Sequence, residues 1–264
     1  MLDDNDFRTL LQHLGRPWGG YRKVRKGVMK RLRSHMAQLD CRTLESYLAI
    51  IERDQQAWEI CQDHLKVTIS RFFRDRQVWR HLEERLLREL LDRYPQGLAV
   101  WSAGGAGGEE PYSLAILWQQ MGVAAPLSLL ATDARGDCLE RARRGVYSRS
   151  SLRELVPETV CRYFCRQETS GHYAIRPQLK EQISWRQHDL LDEPPAGPFQ
   201  LIFLRNNLLT YYQQPLVSPA FLRIASTLSP GGLLITGSHE KLPESVRFLR
   251  RDPHCPMIYR AVAC

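Results

Sequence analysis

The sequence has 264 residues, of which 43% are hydrophobic and 25% charged, as is usual for globular proteins. It has no apolar run of about eighteen residues, and its acidic start (Met1–Phe7) is unlike a secretory signal, so we expect a cytoplasmic protein without membrane insertion. Seven cysteines without a C-x-x-C pair argue against a disulfide framework and against a metal site. The net charge of +8 indicates an acidic partner.

Residues 1–75 predict an all-helical domain. Apolar residues from Phe7 to Leu14 recur at helical spacing after capping-type residues at Asp3–Asp6, and Gly15 is placed to end this first helix. Two later helices are indicated by the apolar spacing within Leu44–Ile51 and by the stretch from about Gln55 to Val67.

Between these helices lies a helix with a basic stripe. No acidic residue occurs from Arg16 to Gln38, and Val24, Val28 and Leu32 mark the opposite, apolar face. The pattern suits an acidic helical partner and a solvated helix face equally, and the sequence leaves both interpretations open. The candidate partner-binding residues on the stripe are Arg22, Lys26, Lys30 and Arg33.

Residues 76–264 predict an α/β domain with a doubly wound, mostly parallel sheet. After a helix from about Gln77 to Tyr94, short apolar runs alternate with helical segments, as buried parallel strands do. The alternation lapses at about 148–186, where the polar, turn-rich sequence predicts a small hairpin-bearing β insertion. The predicted strands are Leu98–Trp101, Leu127–Ala131, Ile183–Arg186, Leu201–Leu204 and Leu233–Thr236.

A glycine-rich turn, Gly104–Gly108, follows the first of these strands. Glycines at the carboxyl end of a strand let a ligand approach the backbone closely. A dinucleotide fingerprint needs a glycine where Glu110 stands, and the neighbouring carboxylates would repel a pyrophosphate, so NAD and FAD are disfavoured. S-adenosylmethionine suits the turn better, because it carries an ammonium and a sulfonium and no phosphate, and Glu110 can pair with a cation.

Acidic residues follow the next two strands. Asp133 is placed to accept both ribose hydroxyls of an adenosyl group, and capping the following helix is an equal alternative. Asp189 follows the third strand, where it can meet the adenine edge or form a turn. Acidic residues at three successive strand ends form the usual cofactor pattern of S-adenosylmethionine-dependent methyltransferases.

Two specific motifs, FFRD and GEEPYS, occur at a characteristic spacing and are followed later by an Arg-Asn pair. Together with further segments that cover nearly the whole chain, they resemble the CheR family of chemotaxis-receptor methyltransferases. The resemblance implies a Rossmann-like methyltransferase domain, S-adenosylmethionine as methyl donor with S-adenosylhomocysteine as product, and receptor glutamates as acceptors on a cytoplasmic helix. The segments are Thr68–Asp75, SAGGAGGEEPYS, Ala131–Asp133 with Cys138–Tyr147, FQLIFLRNNLLTYY and GGLLITGSHEKL.

The resemblance also implies roles for individual residues. Thr68, Ser70 and Arg74 match the family segment over the methionine end of the cofactor, and Arg74 is assigned to the acceptor carboxylate or to charge balance near the sulfonium. The family's active-site tyrosine falls on Thr210 unless one residue is inserted, and Tyr211 is then its substitute and our second catalytic candidate. The other implied cofactor contacts are Ala103, Gly104, Gly105, Glu110, Asp133, Asp189, Leu190, Leu204, Arg205 and Asn206.

The chain departs from the family pattern at Ala106 and Gly107, which replace two hydroxyl residues, and at the shifted tyrosine. These departures leave open another protein or a small carboxylic acid as acceptor, and also an inactive cofactor-binding scaffold. Nucleic acid is disfavoured, because few aromatic residues interleave with the basic stripe and no stacking platform for a flipped base is apparent. The sequence does not indicate an oligomeric state.

Overall fold

The computed structural model describes residues 2–67, 70–244 and 246–262, which form two compact units. The first unit is Met1–Thr68 together with Leu209–Pro215. The second unit comprises Ile69–Leu208 and Leu216–Cys264. The inclusion of Leu209–Pro215 in the first unit was not predicted from the sequence, because it depends on contacts between residues far apart in the chain.

The first unit is helical, as predicted. Its first helix begins with a capping box, in which the Asp3 carboxylate accepts from the Asn5 and Asp6 N–H groups at 2.8 Å each. The apolar faces of the helices meet in a core in which Phe7, Leu32 and Tyr47 are fully buried. The helices are α1 (Asp4–His13), α2 (Trp18–Tyr21), α3 (Arg25–Gln38), α4 (Leu44–Arg53) and α5 (Gln55–Leu65).

The second unit is built on a seven-stranded sheet that contains all five predicted strands. The strands are β1 (Leu98–Ala103), β2 (Leu127–Asp133), β6 (Ile183–Gln187), β7 (Phe199–Phe203), β8 (Leu228–Ile235), β9 (Leu249–Arg251) and β10 (Ile258–Ala261). Their order is β6-β2-β1-β7-β8-β10-β9; neighbouring pairs among the first five strands are parallel, and the last two pairs are antiparallel. The order reverses between β1 and β7, and open α/β sheets bind ligands at such a switch point.

Helices connect these strands and cover the sheet. The predicted helix from Gln77 to Tyr94 is present, but a π-helical segment, Leu82–Leu86, divides it. Side chains along the helix after β1 are buried almost continuously from Pro111 to Trp118. The helices are α6 (Arg76–His81), α7 (Leu87–Arg93), α8 (Glu109–Met121), α9 (Gly136–Arg144), α10 (Pro157–Tyr163), α11 (Pro177–Lys180) and α13 (Val217–Ser226). A further short helix, α12 (Leu208–Tyr211), lies mostly in the segment Leu209–Pro215 of the first unit.

A second, three-stranded antiparallel sheet has two of its strands within the predicted insertion at about 148–186, and its first strand lies just before that range. Its strands β3 (Val146–Tyr147), β4 (Phe164–Arg166) and β5 (Tyr173–Ile175) pair in the order β3-β5-β4. This sheet is anchored by Phe72, whose ring lies 4.9 Å from that of Tyr147 and 5.1 Å from that of Phe164, both edge-on. Across the described residues, no helix is long and apolar enough to cross a membrane.

Candidate active site

The turn Gly104–Gly108 joins β1 to α8 and is held by backbone hydrogen bonds. The N–H groups of Gly104 and Gly105 donate to the Thr132 carbonyl oxygen at 2.9 and 2.8 Å. Gly104 has a φ of +79°, and a Cβ atom there would lie 2.5 Å from Nδ2 of Asn207. Any other L residue here would have to adopt a backbone conformation that L residues avoid, and its Cβ atom would displace Asn207. This position therefore requires glycine.

Glu109, the first residue of α8, is buried beside the turn. Its carboxylate pairs with Arg141 at 3.4 Å, and its side chain is only 3% exposed. Burial raises the pKa of this carboxyl, and the Arg141 charge opposes the rise. The Tyr147 hydroxyl donates to the Gly107 carbonyl at 2.8 Å, so buried groups also fix the second half of the turn.

Glu110, the next residue, is the predicted cofactor acid. One carboxylate oxygen accepts from the Ser102 hydroxyl at 2.8 Å, and the other accepts from Nη1 of Arg205 at 3.0 Å. Burial raises the pKa of Glu110, whereas Arg205, Ser102 and Arg74 lower it. Because a carboxylate oxygen has two acceptor sites, Glu110 keeps acceptor capacity beyond these two bonds.

Arg205 follows β7 and lies between two carboxylates, with its side chain 3% exposed. Its Nη1 donates to Glu110, as given above, and its Nη2 donates to Oδ2 of Asp75 at 2.7 Å and to the Arg74 carbonyl at 2.9 Å. A buried guanidinium needs such partners to offset its lost hydration. Sequence reasoning predicted Arg205 as a cofactor contact but missed its pairing with Asp75.

Arg74 lies in a segment whose backbone is held on both sides. The Phe73 N–H donates to the Ser113 hydroxyl at 2.9 Å, and the indole of Trp79 donates to the Arg74 carbonyl at 2.9 Å. The guanidinium itself donates to Oδ1 of Asn206 at 3.2 Å, its only side-chain hydrogen bond within the described ranges. The backbone of Arg74 is therefore fixed, and most of the N–H donors of its guanidinium are left for another group.

Glu240 fixes the loop after β7, and sequence reasoning assigned it no role. Its carboxylate is buried and accepts from the backbone N–H groups of Asn206, Asn207 and Gly237 at 2.9, 3.2 and 2.6 Å. Asn207 in turn donates to the Ala103 carbonyl at 2.6 Å. Glu240 thereby ties the end of β7 to the segment after β8, and Asn207 links it to the end of β1.

These features agree with what comparisons with known proteins find. A family model described as CheR methyltransferase, SAM binding domain, matches residues 68–252. The chain belongs to the CheR methyltransferase family. Chemotaxis protein methyltransferase 1 of Pseudomonas aeruginosa is 31% identical over 247 residues, which cover 89% of each chain. The chemotaxis protein methyltransferase of Klebsiella aerogenes is 31% identical over 257 residues, covering 93% of this chain and 86% of that protein.

Among solved structures, the chain is similar to N-methyltransferase NodS from Bradyrhizobium japonicum WM9, determined in complex with S-adenosyl-l-homocysteine. The identity is 18% and the TM-score is 0.34, over 73% of this chain and 70% of that one.

S-adenosylmethionine, the cofactor of this CheR domain, fits the residues present. The glycine-rich turn presents bare backbone at the end of β1, and the Glu110 carboxylate, with its side chain 12% exposed, suits a cationic ligand. A pyrophosphate would meet repulsion from the same carboxylate. Among the described residues, no group of His, Cys, Asp and Glu side chains has an arrangement that could hold a metal ion.

Asp133 and Asp189, the other predicted acids of the CheR site, both bind nearby backbone. Asp133 accepts from the Ala106 N–H at 2.9 Å and from the Arg135 N–H at 3.0 Å. The turn is therefore fixed at Ala106 without the hydroxyls that are usual in the family. The N-cap of α9 is Arg135, without a side-chain cap bond, so Asp133 does not fill the alternative role of helix cap. Asp189 accepts from the Leu191 N–H at 3.0 Å, in the turn that the sequence also allowed.

The remaining predicted cofactor contacts lie around the ends of the strands. Leu204 is fully buried and donates its N–H to the Ile235 carbonyl at 2.8 Å, and Ala103 is buried at the end of β1. Ser70 and Leu190 are half-buried, and Thr68 lies outside the described residues. Their contacts with the cofactor stay predictions.

Tyr211, the second catalytic candidate, is placed in the first unit. Its ring lies 5.1 Å from that of Tyr21, edge-on, and its carbonyl accepts from the Arg16 guanidinium at 3.2 Å. The ring is partly buried against the core of the helices. Its contribution to catalysis stays a prediction.

The basic stripe of the first unit is only partly available to a partner. Arg22, Lys26 and Lys30 are exposed, and their side chains make no hydrogen bond or ion pair with any residue that the structure describes. The Arg33 guanidinium instead donates to the Leu2 carbonyl at 2.9 and 2.6 Å, which ties α3 to the start of the chain. Arg33 therefore has a structural role that the sequence did not reveal.

Proposed function

We propose that this CheR methyltransferase transfers a methyl group from S-adenosylmethionine to glutamate side chains of a chemoreceptor-like protein, and that it does so in the cytoplasm. The product is a methyl ester. Family membership and the names of the chemotaxis methyltransferases that match most of the chain support this proposal. The acceptor is then a carboxylate on an acidic helical surface.

The cofactor supplies an electrophilic methyl carbon when it is bound. Glu110 would hold its ammonium group, Asp133 its ribose hydroxyls, and Asp189 with Leu190 its adenine edge. The backbone at Ala103, Gly104 and Gly105, together with Leu204, Arg205 and Asn206, would complete this set. The carboxylates supply charge opposite in sign to that of the cofactor, which favours binding from water.

The availability of the Arg74 guanidinium is the observation that most directly supports the proposal. Its backbone is fixed by Trp79 and Arg205, whereas its side chain has one hydrogen bond among the described residues, to Asn206. A planar guanidinium matches a carboxylate in geometry and charge, so Arg74 can hold the acceptor oxygen in line with the methyl carbon.

The acceptor chemistry requires little more from the chain. A glutamate has a pKa of about 4.3, so its carboxylate is a nucleophile at neutral pH and needs no strong general base. Most of the acceleration then comes from orientation and from the exclusion of water, because a carboxylate stripped of its hydration reacts more readily.

The basic face of α3 supports an acidic protein as acceptor. Lys26 and Lys30 are exposed one helical turn apart, with Arg22 preceding the helix. Such a group of cations attracts an acidic surface and speeds its encounter. The proposal therefore places a chemoreceptor-like helix, rather than a small carboxylic acid, as the substrate.

Methyl-labelled S-adenosylmethionine and a chemoreceptor cytoplasmic fragment test the proposal. Label should enter the receptor and leave as methanol on mild alkaline treatment, and Arg74→Ala should lower turnover while cofactor affinity stays within about threefold. Alkali-stable label, or no label despite tight cofactor binding, would contradict it. The Arg85→Ala variant, whose arginine pairs with Asp252 and Glu89, is a control that should retain activity.

A further inference from the structure

Asp75 precedes α6 at the N-cap position but does not cap that helix. Aspartate is among the preferred N-cap residues, and a capping side chain accepts from the backbone of the first turn. Here no side-chain cap bond is formed in the described structure, and the Asp75 backbone has φ and ψ of 60° and 66°, unlike the extended backbone of an ordinary cap. Its carboxylate instead accepts from Nη2 of Arg205 at 2.7 Å.

The backbone around Arg74 is strained on both sides. Phe73 and Asp75 both have positive φ, at 49° and 60°. Such a conformation is uncommon for residues other than glycine and is unfavourable for phenylalanine in particular, so surrounding contacts must hold it. Asn206, which accepts from the Arg74 guanidinium, also has positive φ, at 56°.

Arg205 supplies two of the contacts that hold this strained segment. The same Nη2 atom donates to the Asp75 carboxylate and to the Arg74 carbonyl, while Nη1 donates to Glu110. The Arg74 carbonyl receives a second bond from the Trp79 indole at 2.9 Å. The peptide after Arg74 is therefore held by two donors, the Trp79 indole and the buried Arg205 guanidinium, and the same guanidinium is paired with the Asp75 carboxylate.

We propose that Asp75 is a positioning residue, whose ion pair with Arg205 locks the Phe73–Asp75 backbone so that the Arg74 guanidinium is held for the acceptor carboxylate. Asp75 itself touches neither cofactor nor acceptor. The inference rests on the proposed function, because it concerns what Arg74 does in methyl transfer. Arg205 then neutralises two carboxylates, that of Glu110 on the cofactor side and that of Asp75 on the acceptor side.

Variants of Asp75 and of Arg205 should differ in their effects on kcat and on cofactor affinity. Asp75→Asn removes the charge but keeps the size and the tolerance of asparagine for positive φ, so the protein should fold. We expect its kcat to fall on the order of tenfold or more, as misplacement of a reacting group does, with the dissociation constant for S-adenosylmethionine changed by less than about threefold. Arg205→Lys loses the fork and should weaken cofactor binding as well as lower kcat.

Asp252→Asn is the matched control. Asp252 pairs with Arg85 at 2.7 Å, the same separation as in the Asp75–Arg205 pair, and its side chain is 6% exposed. This variant should lose at least as much thermal stability as Asp75→Asn, because Asp252 also accepts from the backbone N–H groups of His254 and Cys255, yet it should show no comparable fall in kcat. Equal kcat in the two variants would overturn the proposal, because the loss of an ion pair alone would then explain everything.

The Trp79 indole gives a readout that loss of stability alone does not move. With nitrogen-15 tryptophan, the indole N–H resonance of Trp79, assigned through Trp79→Phe, should shift in Asp75→Asn and not in Asp252→Asn, because it donates to the Arg74 carbonyl. An unchanged resonance together with unchanged kcat would overturn the positioning role. If the wild-type protein binds no S-adenosylmethionine or forms no ester, the proposed function fails instead.

Discussion

Replacing Gly104 with alanine should weaken both the fold and cofactor binding. With φ at +79°, an alanine there costs about 1–2 kcal/mol of backbone strain. Its Cβ would also lie 2.5 Å from Nδ2 of Asn207, which donates to the Ala103 carbonyl at 2.6 Å. Loss of that hydrogen bond adds about 1 kcal/mol, so the free energy of unfolding should fall by about 2–3 kcal/mol in total.

The chain offers a control that has the strain without the contact. Gly122 has φ of +61°, and a Cβ atom built there meets no atom within 4 Å. Gly122→Ala should therefore lower the free energy of unfolding by only about 1–2 kcal/mol and leave the affinity for S-adenosylmethionine unchanged.

Urea denaturation and calorimetric titration with S-adenosylmethionine measure the two effects. Gly104→Ala should bind about tenfold more weakly or worse, because the displaced Asn207 and the added methyl both intrude at the end of β1. If the two alanine variants lose equal stability and both bind the cofactor like the wild type, the assignment of this turn to the cofactor is wrong.

Other variants test the rest of the site. Asp133→Ala should weaken S-adenosylmethionine binding by about tenfold or more in calorimetry, and unchanged affinity would refute its placement at the ribose. Glu240→Gln should lower the free energy of unfolding by about 2 kcal/mol, since its amide would turn a donor toward a backbone N–H; a loss below about 0.5 kcal/mol in urea denaturation would contradict this. Burial lowers the pKa of His35, and the nearby charge of His64 lowers it further. As the pH falls, His35 is therefore protonated at a higher pH in the unfolded chain than in the folded protein. Stability from this group is complete above about pH 6.5 and is lost as pH drops toward the lower, folded pKa, and His35→Gln should flatten this part of a denaturation series across pH. Reversing Lys26 and Lys30 to glutamate should slow methylation of an acidic protein at constant cofactor affinity, and equal turnover would indicate a small carboxylic acid as acceptor.

The sheet could be predicted from the sequence because buried parallel strands leave a simple pattern. Runs such as Leu98–Trp101 and Leu201–Leu204 are apolar on both faces and are separated by helices, and the structure places them side by side. The capping pattern at Asp3–Asp6 and the turn-rich insertion were likewise local signals. Each depends only on residues close together in the chain.

The contacts that hold the site could not be predicted in this way. Asp75 and Arg205 are separated by 130 residues, and nothing in the local pattern of either shows that they pair. Glu240 lies in a segment that resembles the CheR family, yet its three backbone bonds appear only when the ends of β7 and β8 are brought together. The packing of Tyr211 against Tyr21 likewise joins residues that lie far apart in the sequence.

The most direct test of the central claim is a mass-spectrometric analysis of a chemoreceptor cytoplasmic fragment after incubation with this protein and S-adenosylmethionine. Carboxyl methylation predicts glutamate-containing peptides that gain the mass of one methylene and lose it after mild alkali, with Arg74→Ala giving little of this product. Methylation that survives alkali, or a receptor that stays unmodified while the protein binds S-adenosylmethionine tightly, would contradict the account.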